Sequence, residues 1–93
     1  MELNLKNKSD EVLINDLKAM VAKERQLLTE ILHYLKEVNS RRLYLERGHP
    51  SLFAFVTEDL GYSEAAAYRR IQAMKLIQDL PEVEEKIQTG KLS

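Results

Sequence analysis

From Ser9 to Arg47 the chain contains neither glycine nor proline. This interval constrains the fold more than any other feature, because those two residues are the usual interrupters of regular backbone. Within it, apolar residues recur at Leu13, Leu17, Met20, Val21, Leu27, Leu28, Ile31, Leu32, Leu35 and Val38, which is helical spacing. Ser9 suits an N-cap, since its hydroxyl accepts from an orphan amide while Asp10 and Glu11 favour the positive end of the helix dipole. A helix over Asp10–Val38 would be about 43 Å long at roughly 1.5 Å per residue. Such a rod is longer than the rest of a small chain covers. It either projects and pairs with a second copy, or breaks near Asn39 and Ser40. Leu13, Leu17, Met20, Leu27, Ile31, Tyr34 and Val38 follow one seam of alternating four- and three-residue steps, with Glu24 as its single fault. That seam is a candidate coiled-coil dimerisation surface, and a stripe facing the core of one subunit is the competing reading.

The remaining punctuation divides the chain. Residues 1–8 are expected to be a flexible N-terminus, 9–39 the long amphipathic helix, and 40–93 a small helical domain, giving an all-α fold. Pro50 and Ser51 open a helix, "SLFAFVTEDLG", whose apolar stripe is expected to be Leu52, Phe53, Val56 and Leu60. Gly61 supplies a left-handed position after it. Ser63 caps the next helix, with Glu64 in its first turn, and that helix is expected to run to about Asp79, where Leu80-Pro81 stops it. A last short helix, "EVEEKIQTG", ends at Gly90, and "KLS" with Leu92 reads as the middle of a longer protein.

Two helices joined by about three residues, with glycine in the turn and serine capping the second, match a helix-turn-helix. On the second helix Ala67, Ile71 and Met74 share one direction, while Ala65, Tyr68, Arg69 and Gln72 fall opposite. Arginine makes bidentate contacts to guanine, glutamine pairs with adenine, and tyrosine reaches phosphate. Ser63 and the amides after it suit a phosphate at the helix N-terminus. The net charge of −1 excludes recognition of a polyanion by bulk charge. Residues 40–76 nevertheless carry Arg41, Arg42, Arg47, Arg69, Arg70 and Lys75 against four acidic residues. Arg70, Lys75, Arg41, Arg42 and Arg47 are the candidate phosphate contacts, because counterion release counts contacts rather than total charge. A solvated helix face is the competing reading of Arg69 and Arg70.

The run "LGYSEAAAYRRIQAMKLIQDLPEVEEKIQTGKLS" resembles the helix-turn-helix of ParB-type partition proteins, although Leu80-Pro81 lies about one helical turn farther from Gly61 than in that family. A longer stretch, about Leu28 to Ser93, is similar to the helical region preceding the nuclease domain in a group of bacterial HNH endonuclease-type proteins. "LYLERGHPSLFAFVTEDLGYSEAAAYRRIQAMKLI" followed by "PEVEEKIQTGKLS" carries that resemblance. It implies a metal-dependent nuclease in the complete protein, with a ββα site in which one histidine activates water. The present chain has two histidines, His33 on the long helix and His49 in a turn, and no strand pattern around either. Glu58-Asp59 and Glu84-Glu85 are sequence neighbours expected to point different ways. No catalytic or metal-binding residue, and no cofactor, is therefore expected. The absence of cysteine, of a signal-peptide core and of a long apolar run points to a cytoplasmic chain without a membrane partner. Double-stranded DNA and a second copy of the chain are the expected partners. A helical oligomerisation or protein-docking module without DNA contact is the alternative.

Overall fold

The computed structural model describes residues 4–79 together with Ile87, Gln88 and Gly90. All regular structure in these residues is helical. Leu5–Asn7 form a single 3-10 turn ahead of helix α1, Asp10–Arg41. The Ser9 hydroxyl accepts from the Val12 amide at 3.3 Å, as its capping position requires. Helix α1 does not break at Asn39 or Ser40. It ends at Arg42, whose φ of 53° lies in the left-handed region and whose amide bonds back to the carbonyls of Asn39 and Val38. At 32 residues, the helix spans about 48 Å, close to the 50 Å longest dimension of the molecule.

A four-residue helix, α2 (Leu43–Glu46), follows at once, and a turn through Gly48 and Pro50 leads to α3. Ser51 caps α3 by accepting from the Ala54 amide at 3.0 Å. Only Leu52–Ala54 are wound as an α-helix. Phe55–Asp59 widen into a π-helical turn, closed by the Leu60 amide bonding to the Phe55 carbonyl five residues back. Inside it the Thr57 hydroxyl donates to the carbonyls of Phe53 and Ala54, a back-bond that loosens helical winding. Leu52, Phe55 and Val56 are buried, whereas Phe53 and Leu60 are exposed. The apolar stripe expected at Leu52, Phe53, Val56 and Leu60 is thus corrected at two of its four positions: Phe53 is turned about 100° from Leu52 onto the outer face of α3, and Leu60 lies beyond the π turn that breaks the α-helical pitch.

Gly61 has φ +81°, and Ser63 caps helix α4 (Glu64–Asp79) by accepting from the Ala66 amide at 3.2 Å. Leu80-Pro81, Leu92 and most of "EVEEKIQTG" lie outside the described residues. Ile87 and Gln88 are helical, and the Gly90 amide bonds to the Ile87 carbonyl.

The core forms where α4 and α3 pack on the C-terminal half of α1. It contains Leu32 and Leu35 of α1, Leu52, Phe55 and Val56 of α3 and its π turn, Ala67, Ile71, Met74 and Ile77 of α4, and Ile87. Alanine at position 67 allows close approach, and it is wholly inaccessible to solvent. Thr29, the buried polar residue of α1, satisfies its hydroxyl on the Arg25 carbonyl. No residue of α1 before Thr29 is buried. Among the described residues the long helix is therefore two helices in function: a C-terminal half packed in the core, and an N-terminal half that meets only the short segment preceding it.

Candidate nucleic-acid interface

The turn Leu60–Ser63 and helix α4 place the residues of "GYSEAAAYRRIQAM" on two faces. Ala67, Ile71 and Met74 point into the core as their spacing predicts, and Ile77 extends that face by one more turn. Ala65, Tyr68, Arg69 and Gln72 are exposed on the other side, Tyr68 by 61%. Lys75 is exposed one turn farther along. The Arg69 stem borders a shallow cleft shared with Leu28, Arg70, Ala73 and Ile87. Ser63 and the first amides of α4 are exposed, and the Ser63 hydroxyl, which accepts from the Ala66 amide, keeps its O–H as a donor.

Arg70 does not stand beside Arg69. One residue of helix turns it by about 100°, and it lies half-buried against Tyr62, its guanidinium 6.0 Å from the ring centroid. Its Nε is buried without a hydrogen-bond partner. The arginines ahead of the turn divide in a similar way. Arg41 pairs with Glu37 across one helical turn at 2.8 Å. Arg47 holds Asp59 with both arms of its guanidinium, Nε to Oδ2 at 2.5 Å and Nη2 to Oδ1 at 3.2 Å. That pairing raises the Arg47 pKa and holds the Asp59 carboxyl below its ordinary value, chiefly through the hydrogen bond between them. Arg42 sits exposed at the α1–α2 junction. No ion pair with a described residue engages Arg42, Arg69 or Lys75. The six basic residues of this segment are therefore not one patch: Arg41 and Arg47 are neutralised within the chain, and Arg70 is partly used in packing.

The Arg47–Asp59 pair belongs to a cluster that the sequence does not announce. His49 lies between the two carboxylates, with Nδ1 3.1 Å from Glu58 Oε2 and Nε2 3.3 Å from Asp59 Oδ2. Its ring meets Phe55 edge-on at 5.8 Å between centroids. Glu58 and Asp59 thus converge on one imidazole instead of pointing apart. The π turn makes this possible by splaying consecutive residues differently from an α-helix. Both ring nitrogens face carboxylates of the same chain, so the cluster clamps the Gly48–Pro50 turn onto α3 and leaves no open nitrogen for a reacting atom. Among the described residues, no three His, Asp or Glu side chains are placed to hold a metal ion. No described helix is long and apolar enough to cross a membrane.

The seam of α1 is the second candidate surface. Leu13, Leu17, Met20, Leu27 and Tyr34 are exposed, Tyr34 by 77%, and Ile31 and Val38 are half-buried. Beside the C-terminal half of the seam lies a groove of about 570 Å³ walled by Phe55, Leu60 and Tyr62. A second groove, of about 630 Å³ and edged by Leu5 and Lys8, lies beside the N-terminal half. Lys8 reaches this second groove through an ion pair with Asp16. Compared with protein families, curated proteins and solved structures, the chain matches none of them.

Proposed function

We propose that the chain is a DNA-binding helix-turn-helix module, the N-terminal region of a longer bacterial HNH-type nuclease that it positions on duplex DNA. The observation that carries this reading is the division of α4. Its small and apolar residues are consumed in the core, and Ala65, Tyr68, Arg69 and Gln72 are left outward on a slim helix that follows a tight turn. Arg69 and Gln72 have the donor geometry for base edges in the major groove. Lys75 and Arg42 serve phosphates. Arg41 and Arg47 could join them through the N–H groups not engaged by Glu37 and Asp59, with their charge already partly offset. In this reading the chain chooses a site and chemistry belongs to a nuclease domain outside it. A second copy, paired through the seam of α1, would present two such units to a pseudo-palindromic site.

Titration of random duplex DNA at several salt concentrations tests this. Arg69→Ala is expected to weaken binding by about 1–3 kcal/mol if it contacts a base. Lys75→Ala is expected to flatten the salt slope by about one unit. If neither substitution changes affinity or slope, the DNA reading fails. The alternative is a helical oligomerisation or docking module without DNA contact, and the exposure of Leu13, Leu17 and Met20 on the N-terminal half of α1 is the observation that favours it.

A further inference from the structure

We infer that α1 is built to pair with α1 of a second copy in antiparallel orientation, along its whole length and in one register. This rests on the self-association reading of the seam and adds its direction and its pairs.

The seam runs Leu13, Leu17, Met20, Glu24, Leu27, Ile31, Tyr34, Val38. Laid antiparallel with the two-fold axis between Arg25 and Gln26, Leu13 meets the partner's Val38, Leu17 the partner's Tyr34, Met20 the partner's Ile31, and Glu24 the partner's Leu27. Every step of four then faces a step of four, so all layers close at once. The same register sets Asp10 opposite the partner's Arg41, the first and last residues of the helix. Coincidence of the side-chain layers with the helix ends is not required by either alone.

Three further features fit this arrangement. First, the buried residues of α1 begin at Thr29, so among the described residues each copy's core domain covers the C-terminal half of the helix and leaves Leu13, Leu17 and Met20 of the other half exposed. In the antiparallel register the partner's domain lies beside that other half. Ile14, Val21, Leu28 and Leu35 recur at seven-residue intervals along one flank. Leu35 is buried in its own domain, whereas Ile14 is 49% exposed. Antiparallel pairing brings Ile14 to the wall formed by the partner's Phe55, Leu60 and Tyr62. Second, each apolar groove receives what the other end of the seam supplies: the partner's Leu13, Leu17 and Met20 enter the first, and the partner's Tyr34 and Val38 enter the second. Third, charge favours this direction. The acidic start of α1, Asp10 and Glu11, meets the partner's Arg41 and Arg42, with opposed helix dipoles, and Lys23 meets the partner's Glu30. Asp16 falls near the partner's Glu37, a like-charge contact offset by Lys8 on Asp16 and by the Nε of Arg41 on Glu37, which leaves the outer N–H groups of Arg41 for Asp10. A parallel pair would instead stack Glu24 on Glu24 in an apolar layer and bring both acidic ends together.

Because the chain lacks cysteine, thiols can be placed at will. Leu17→Cys and Tyr34→Cys chains, both altered at exposed positions, are mixed, unfolded and refolded together, then treated with a short bis-maleimide. Circular dichroism first checks that each variant keeps its helicity. The antiparallel register predicts the mixed product, joining position 17 of one chain to position 34 of the other, because two copies of position 17 would lie about 25 Å apart. A predominant product joining two Leu17→Cys chains would overturn the register while leaving self-association standing. A monomer mass at about 100 µM with no cross-link would overturn both. Neither outcome bears on DNA binding, which is measured separately. Glu24→Leu supplies the second arm: it is expected to tighten the dimer at least about tenfold by making the central layers apolar, and a weaker dimer would refute the pairing with Leu27.

Discussion

Two leucines on the same helix, Leu32 and Leu17, offer the sharpest check on how α1 is used. Leu32 is 1% exposed and Leu17 is 53% exposed. Leu→Ala removes the same carbons at both sites with almost no change in helix propensity. At Leu32 the lost transfer free energy is roughly 2–2.5 kcal/mol, from about 0.8 kcal/mol per methylene-sized group. The cavity left between α1, α3 and α4 adds to it, so the expected cost is about 3–4 kcal/mol. A domain of this size has roughly 5–14 kcal/mol of stability in total, so the variant should fold but with little reserve. With a urea slope of about 1.5 kcal/mol per molar, the unfolding midpoint should fall by about 2 M. Leu17→Ala should cost under about 0.5 kcal/mol in the monomer. Its effect should grow with protein concentration if the seam is paired, because association then adds to stability by mass action. Urea titrations followed by circular dichroism, at low and high protein concentration, read both numbers. A Leu32→Ala cost below about 1 kcal/mol, or a Leu17→Ala cost that is as large and independent of concentration, would refute the assignment of the two faces.

Gly61→Ala should destabilise by about 1–2 kcal/mol. Nothing lies within 4 Å of the added Cβ, so the whole cost is the left-handed backbone, and Gly61→Asn should recover part of it in the same urea titration. Ser63→Ala removes the side-chain acceptor for the Ala66 amide and should cost about 0.5–2 kcal/mol, whereas Ser63→Asp should be nearly neutral. Asp59 has a depressed pKa in the folded chain, caused first by the hydrogen bond from Arg47. Its contribution to stability is therefore present above the unfolded carboxyl value and lost as pH falls through the folded one. Urea midpoints measured from neutral pH down through the carboxylate range should fall, and Asp59→Asn should remove part of that slope. An unchanged slope would show that the Arg47–His49–Asp59 cluster does not hold in solution.

Local chemistry made much of this molecule readable from its sequence. Each of Ser9, Ser51 and Ser63 is a serine followed by helix-compatible residues, and each caps the helix it precedes. Gly61 takes the left-handed conformation that lets the chain turn. The direction shared by Ala67, Ile71 and Met74 follows from α-helical pitch, and all three are buried. These features depend on residues within a turn or two of one another, so a linear reading reaches them. The same logic left Arg69, Gln72 and Tyr68 outward.

Other features were decided by contacts between segments distant in the chain. The sequence offered apolar positions all along α1 without saying which face the rest of the chain would cover. Packing of α4 chose Leu32 and Leu35 and left Leu17 and Tyr34 bare, because one small domain buries only one face of half the helix. The π turn at Phe55–Asp59 carried Leu60 off the face that Val56 buries, while tertiary packing took Phe55 and not Phe53 into the core. It also brought Glu58 and Asp59 to a histidine nine and ten residues earlier. Which arginines keep an unpaired charge was settled in the same way, since an ion pair such as Arg47–Asp59 exists only after the turn between its partners has closed. Helix identity and caps were thus determined by the sequence through short-range sterics and hydrogen bonding. The choice of faces, and of which charges stay available, belonged to tertiary packing.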